Sequence, residues 1–235
     1  MIADERPELR SHEPSAAKLI VRRIVRADPM STRSPAREAM IEAMTELLMS
    51  GKAASELSIT EFVASVGVSR PTFYAHFQDV PAVARQAALT RMKHTFAKIP
   101  AAAVGDSWQS FARGTFTTLL TDLVRDARFY LTAWESAETL LTADIVGFLA
   151  NRLLDESPLG PIIRRRAGAD TPQQRAEFLA AGTIWQVRAW LTSGTATEDT
   201  VDAFNDQLAT LLFSSSGATP EEIAATGMGA PADTE

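Results

Sequence analysis

The chain of 235 residues contains no cysteine. That excludes a disulfide framework, a zinc–thiolate site and a thiol nucleophile together, and it agrees with a reducing compartment. No apolar run approaches the ~20 residues needed to cross a bilayer. The opening MIADERPELR puts acids where a secretory leader needs bases, so a cytoplasmic protein without membrane contact is expected. Histidine is scarce, and His12, His76 and His94 are scattered. There is no metal-ligand spacing and no glycine-rich phosphate loop, so no metal, no cofactor and no catalysis are expected. The absence of a repeat at any period of about 20 to 50 residues sets solenoids aside. Strand signals are also thin: Leu19 to Val25 is the only β-branched run, and its interleaved arginines equally permit an amphipathic helix.

What is present is 46% hydrophobic and 22% charged residues, ordinary for a folded protein and enough to build one or two packed units. The net charge of -6 hides an asymmetry: residues 1–98 carry 14 basic and 11 acidic side chains, and the remainder carries 9 and 18. Polyanion contacts require local cations, so the N-terminal part is the side on which a nucleic acid would be held. The sharpest excess runs from Lys18 to Arg37, where Lys18, Arg22, Arg23, Arg26, Arg33 and Arg37 face only Asp28. A solvated tail and a DNA-touching arm both fit that run.

Hydrophobic periodicity predicts an all-α fold. A helix starts at Ser34 with Pro35 in its first turn, shows Ala36, Met40, Ile41, Met44, Leu47 and Leu48 on one face, and stops at Gly51. Ser58-Ile-Thr-Glu61 is a capping-box pattern opening a short second helix that ends at Gly67. A third runs from Ser69 to about Phe77, and a fourth from near Asp79 to the boundary at Pro100. Asp106 is the expected cap of the next helix, whose Trp108, Phe111, Ala112, Phe116, Leu119, Leu120 and Leu123 form a stripe. Further helices are expected near Ala127 to Ser136, Thr142 to Glu156, Thr171 to Ser193 and Thr197 to Phe213. Ser157 to Asp170, with two prolines, two glycines and three consecutive arginines, reads as a solvated loop. The organisation expected is a flexible basic extension (1–33), a three-helix helix-turn-helix unit (34–79), a helical ligand-binding and dimerisation unit (80–213) and a disordered tail (214–235).

The most informative stretch is Ser58 to Phe77. A tight turn between two helices needs one residue with positive φ, which Gly67 supplies, while Phe62, Val66, Val68 and Phe73 bury the corner. The outer face then presents Ser69, Arg70 and Thr72, groups of the length needed to reach base edges or phosphates in a major groove. Tyr74 and His76 flank them and can donate to phosphates. Gly67-Val68-Ser69, Thr72-Phe73-Tyr74 and His76-Phe77 together resemble the signature of the TetR, or tetracycline-repressor-like, transcriptional regulators. The resemblance is strong over Ser34 to Met92 and extends by architecture alone to Phe213. It implies a homodimer reading a near-palindromic double-stranded operator, with Thr60, Ser69, Arg70, Thr72, Tyr74 and His76 as DNA contacts. It also implies a C-terminal domain whose small-molecule effector changes the half-site spacing. Two positions depart from the pattern: Val80 stands where the family often has a phosphate-binding lysine, and Val63 where it usually has a smaller residue.

All four tryptophans fall between residues 106 and 191. Trp108, Phe111, Phe116, Trp134 and Trp185 are the candidate lining of an effector pocket, although the same composition also describes a filled core. Few charges interrupt these stripes, so an uncharged apolar or aromatic effector is expected unless Arg113, Arg128 or Arg188 turns inward. The last two helices offer more apolar surface than one unit readily hides, and the resemblance implies pairing of these helices across a two-fold axis. The reading is a repressor released by its effector. The alternative is a helical DNA-binding regulator, a repressor or an activator, that is ligand-independent or controlled by a protein partner.

Overall fold

Apolar side chains recur three and four residues apart along every long segment, and the backbone follows that period. The chain is all-helical, with nine α-helices, two 3₁₀ turns and no strand among the described residues. The computed structural model describes residues 34–99, 101, 107–166, 168–219 and 221–222. The extension expected over 1–33, the Leu19 to Val25 run, Pro100, Asp106 and residues 223–235 of the expected tail lie outside them.

Helix α1 (Pro35–Ser50) ends at Gly51 and buries Met40, Met44 and Leu48 at strict four-residue spacing. A 3₁₀ turn (Ala54–Glu56) leads to α2 (Ile59–Val66), then α3 (Arg70–Tyr74) and α4 (Val80–Phe96). Asp79 caps α4, its side chain accepting from the Ala82 N–H at 2.7 Å. Helix α4 serves two neighbourhoods. Val80, Val83, Ala84 and Ala87 are buried in its first half, while Met92, Thr95 and Phe96 are buried in its second. The buried apolar residues from Met40 to Phe213 therefore form one contiguous cluster. The expected boundary at 79/80 falls at the start of a helix shared by both sides.

Ser107, not Asp106, caps α5 (Trp108–Arg125), accepting from the Ser110 N–H at 3.1 Å. The two helices expected over Ala127 to Glu156 are one 29-residue run, α6 (Ala127–Asp155), with a single break at Ala137 (φ -153°, ψ 41°). The intervening Glu138-Thr139-Leu140-Leu141 contains neither proline nor glycine, so one residue absorbs the change of direction and the helix resumes.

The loop expected from Ser157 to Asp170 is corrected more sharply. It contains α7 (Leu159–Arg165), with Leu159 and Ile163 fully buried. Pro161 lies in its first turn, where a missing N–H costs nothing. At Gly160 a β-carbon would collide with the Leu154 carbonyl at the end of α6, so glycine permits the approach. These prolines and glycine start a packed helix.

Helix α8 (Pro172–Thr192) opens with the anticipated box: Thr171 N–H donates to Gln174 Oε1 at 2.9 Å, and Gln174 N–H donates to Thr171 Oγ1 at 3.2 Å. A 3₁₀ turn (Glu198–Thr200) precedes α9 (Val201–Ser215). The disordered tail expected from residue 214 begins too early. Ser214 and Ser215 are helical, Ser216 is buried, and the Glu222 carboxylate accepts from Thr219 N–H at 2.8 Å and pairs with Arg165 at 2.9 Å.

Arg175 ties the α7 region to α8. Buried itself, it donates to the carbonyls of Ile163 (2.8 Å), Arg166 (2.6 Å) and Asp170 (2.9 Å), and Nε meets the Asp170 carboxylate at 2.5 Å. Hydrogen bonding from Arg175 holds the Asp170 carboxyl below its usual range. Arg175→Met keeps the apolar stem but strands those acceptors, and chemical denaturation is expected to report a loss of about 3 kcal/mol.

Candidate functional site

The corner between α2 and α3 is built from local chemistry. Ser58 N–H and Oγ both donate to the Glu61 carboxylate, at 2.9 and 2.7 Å, while Glu61 N–H donates back to Ser58 Oγ at 3.2 Å. Gly67 adopts φ 77°, the left-handed conformation the turn requires. Ser69 then caps α3, accepting from Thr72 N–H at 3.2 Å, with the two hydroxyls 2.8 Å apart. Beneath the corner Phe62 and Phe73 are fully buried and meet edge to face at 6.1 Å.

Above it, Arg70 Nη2 donates to Thr60 Oγ1 at 2.9 Å. Thr60, Ser69 and Arg70 are exposed and Thr72 half-buried. These four expected residues thus form two hydrogen-bonded pairs on adjacent positions of one corner, and no carboxylate pairs with Arg70 among the described residues. Tyr74 is 57% exposed, its ring standing edge-on to Phe73 at 5.6 Å. His76 is half-buried just past α3. Both departures from the family pattern, Val63 and Val80, are buried packing residues. Arg37, the described end of the basic run, covers the Phe77 ring at 5.5 Å.

A second feature lies between α4, α5, α6, α8 and α9: an apolar cavity of about 130 Å³. Of the expected lining, Phe111, Phe116 and Trp134 face it. Trp108 and Trp185 do not. Trp108 stacks on Phe213 at 6.1 Å and donates its Nε1–H to the Ala209 carbonyl at 3.3 Å, so it is core. Trp185 is 71% exposed on the far side of α8. Their stripes look alike in sequence, and only the neighbouring helices separate them.

Sequence reasoning missed the contribution of α4, whose Met92, Thr95 and Phe96 form one wall, and that of Tyr130 and Arg152 from α6. Threonines 95, 115 and 183 interrupting apolar faces were the available signal. Burial pushes the Tyr130 phenol above its usual range, so it stays protonated. None of the three arginines considered turns inward: Arg113 and Arg128 are exposed, and Arg188 pairs with Glu138. The charged groups that do reach the lining are neutralised within the protein. Arg152 pairs with Glu156 at 2.6 Å and covers the Phe96 ring at 4.8 Å, and Asp122 meets Arg125 at 3.3 Å. Trp134 is 4% exposed, yet its indole N–H has no partner.

The corner and the cavity are physically connected. Besides the shared helix α4, the Ala54 N–H between α1 and α2 donates to Ser136 Oγ on α6 at 2.8 Å, a buried bond. Ser136 in turn donates to the Thr132 carbonyl at 2.7 Å. Across the opposite face of α8, Phe178 (77% exposed) and Trp185 lie two turns apart, and Leu211 of α9 is also exposed.

Among the described residues no cluster of His, Asp or Glu could hold a metal ion, and no helix is long and apolar enough to cross a membrane. No family model matches the chain, and no curated protein matches it.

The corner's stability is testable. Ser58→Ala removes the cap and is expected to cost about 1 kcal/mol in denaturant unfolding. Hydrogen bonds from the Ser58 side chain, then its backbone, hold the Glu61 carboxyl below its ordinary range. That contribution is complete above the range of an unfolded carboxylate and is lost as pH falls through the lower folded value. The melting-temperature gap between the parent and Glu61→Gln is therefore expected to close in acid, as a pH series of thermal melts will show.

Proposed function

We propose that the protein is a homodimeric, sequence-specific DNA-binding transcriptional regulator of the TetR type, a repressor whose grip on a near-palindromic operator is released by a small uncharged effector. The observation that carries this reading is the exposed set of Thr60, Ser69, Arg70 and Tyr74, with half-buried Thr72 beside them, on a corner whose underside is locked by Phe62 and Phe73. Arg70, free of any carboxylate among the described residues, suits a guanine edge or a phosphate. Tyr74 and His76 serve as phosphate donors on the groove walls. Val80 is buried, so phosphate affinity falls to these groups and to the basic extension.

The cavity supports effector control over a form answering only to a protein partner. Helix α4 packs on α1 and on the 3₁₀ turn before the corner and lines the cavity with its second half, and the Ser136–Ala54 bond adds a second link. A ligand that reshapes the cavity moves both. Phe178, Trp185 and Leu211 are the apolar side chains with which α8 and α9 would pair with a second copy.

Selection from a random duplex library by the purified chain tests the proposal. A near-palindrome is expected, with half-sites about 34–36 Å apart. Arg70→Ala should weaken binding to the selected site by about ten- to a hundredfold without moving the melting temperature. A folded protein that enriches no sequence at moderate salt is not a sequence-specific regulator. For the assembly, Trp185→Asp is expected to convert dimer to monomer in sedimentation at micromolar concentration, and an unchanged dimer would place the interface elsewhere.

A further inference from the structure

Two buried side-chain polar atoms among the described residues have no hydrogen-bond partner, Trp134 Nε1 and Asn205 Oδ1, and only Trp134 belongs to the cavity lining. An indole N–H is a donor and nothing else. A buried donor left unmet is unfavourable, and in a folded protein it calls for an explanation. Several other polar groups of the wall are answered within the protein. Thr183 donates to the Leu179 carbonyl of its own helix at 2.8 Å, and Tyr130 and Thr95 hydrogen-bond each other. Arg152 is answered by Glu156, and Asp122 by Arg125. A charged ligand would enter an apolar space with no counter-charge to spare.

Building on the effector-controlled reading above, we infer that the cavity takes an uncharged, mainly apolar molecule bearing one hydrogen-bond acceptor, a ketone or comparable oxygen, that docks on Trp134 Nε1. The volume of about 130 Å³ is close to that of an engineered apolar cavity, about 150 Å³, that admits benzene. The ligand core is therefore a single ring or a short branched chain. Trp134 supplies orientation through its one donor, whose nitrogen has almost no accessible surface until a ligand displaces the neighbouring wall side chains, while Phe111, Phe116 and Leu149 supply apolar contact.

The test uses the purified full-length chain, without DNA, and three probes: cyclohexanone, methylenecyclohexane, which replaces the oxygen with an isosteric carbon, and cyclohexanecarboxylate. Cyclohexanone is expected to bind and to move one indole N–H resonance downfield, the one missing from the spectrum of Trp134→Phe. That variant should bind cyclohexanone about tenfold more weakly and methylenecyclohexane within about twofold of the parent. If the variant fails to fold, triple-resonance assignment of the unmutated chain identifies the Trp134 indole signal, so the shift still decides the matter. Tighter binding of the carboxylate, equal weakening of both neutral probes, a shift at another tryptophan, or no binding at millimolar concentration would each overturn the inference. Because no DNA is present, cyclohexanone binding by a chain that selects no operator would sink the regulator reading and leave the ligand site standing. Operator selection without probe binding would do the reverse.

Discussion

Helix α6 must bury itself against several neighbours at once, and the rest of the molecule is arranged around how it does so. It packs against α8, α4, α1 and α7. A straight helix of 29 residues would extend about 44 Å, more than a body of this size can cover on every side. The break at Ala137 divides it. The first part brings Phe129, Tyr130, Ala133 and Trp134 into the core, and the second brings Leu141, Ile145, Ala150 and Leu154. Ser136, adjacent to the break, reaches the backbone of the α1–α2 connection. The helix that shapes the cavity therefore also holds the corner in place.

Apolar burial, not charge, provides most of that hold. Arg85–Asp144 at 3.1 Å and Arg91–Asp126 at 2.5 Å both bridge to α4. Partly exposed pairs of this kind contribute at most about 1 kcal/mol each. Met40, Met44, Phe62, Phe73 and Val83 are fully buried and belong to the same cluster as the cavity wall, and truncating any one of them would cost several times as much.

The corner shows a related division of labour. A helix of five residues has no stability of its own in water, yet α3 presents Arg70 and Tyr74. Its order comes from the Ser69 cap on one side and from Phe73 on the other. Every strong apolar group of α3 is spent on staying in place, so the groups left outside are polar or amphipathic.

Much of this was legible in the chain itself. The Ser58–Glu61 and Thr171–Gln174 boxes, the Gly67 turn, the Ser69 cap and the four-residue spacing of α1 all appear where the sequence places them. Each is an interaction within three or four residues, so its partners are neighbours in sequence as well as in space. The cavity was only half legible. Phe111, Phe116 and Trp134 face it, but so do Thr95 and Arg152 from segments with no visible ligand signal. The order within Ser157 to Asp170 was hidden as well, because Gly160 acts through contact with Leu154 and not through the turn it resembles. By itself the sequence determined the helical class, the Ser58, Ser69 and Thr171 caps and the chemistry of the corner. Only the tertiary structure decided that Trp108 would be core, Trp134 cavity wall and Trp185 surface: an apolar stripe specifies that a face will be covered, while what covers it depends on helices far away in the chain.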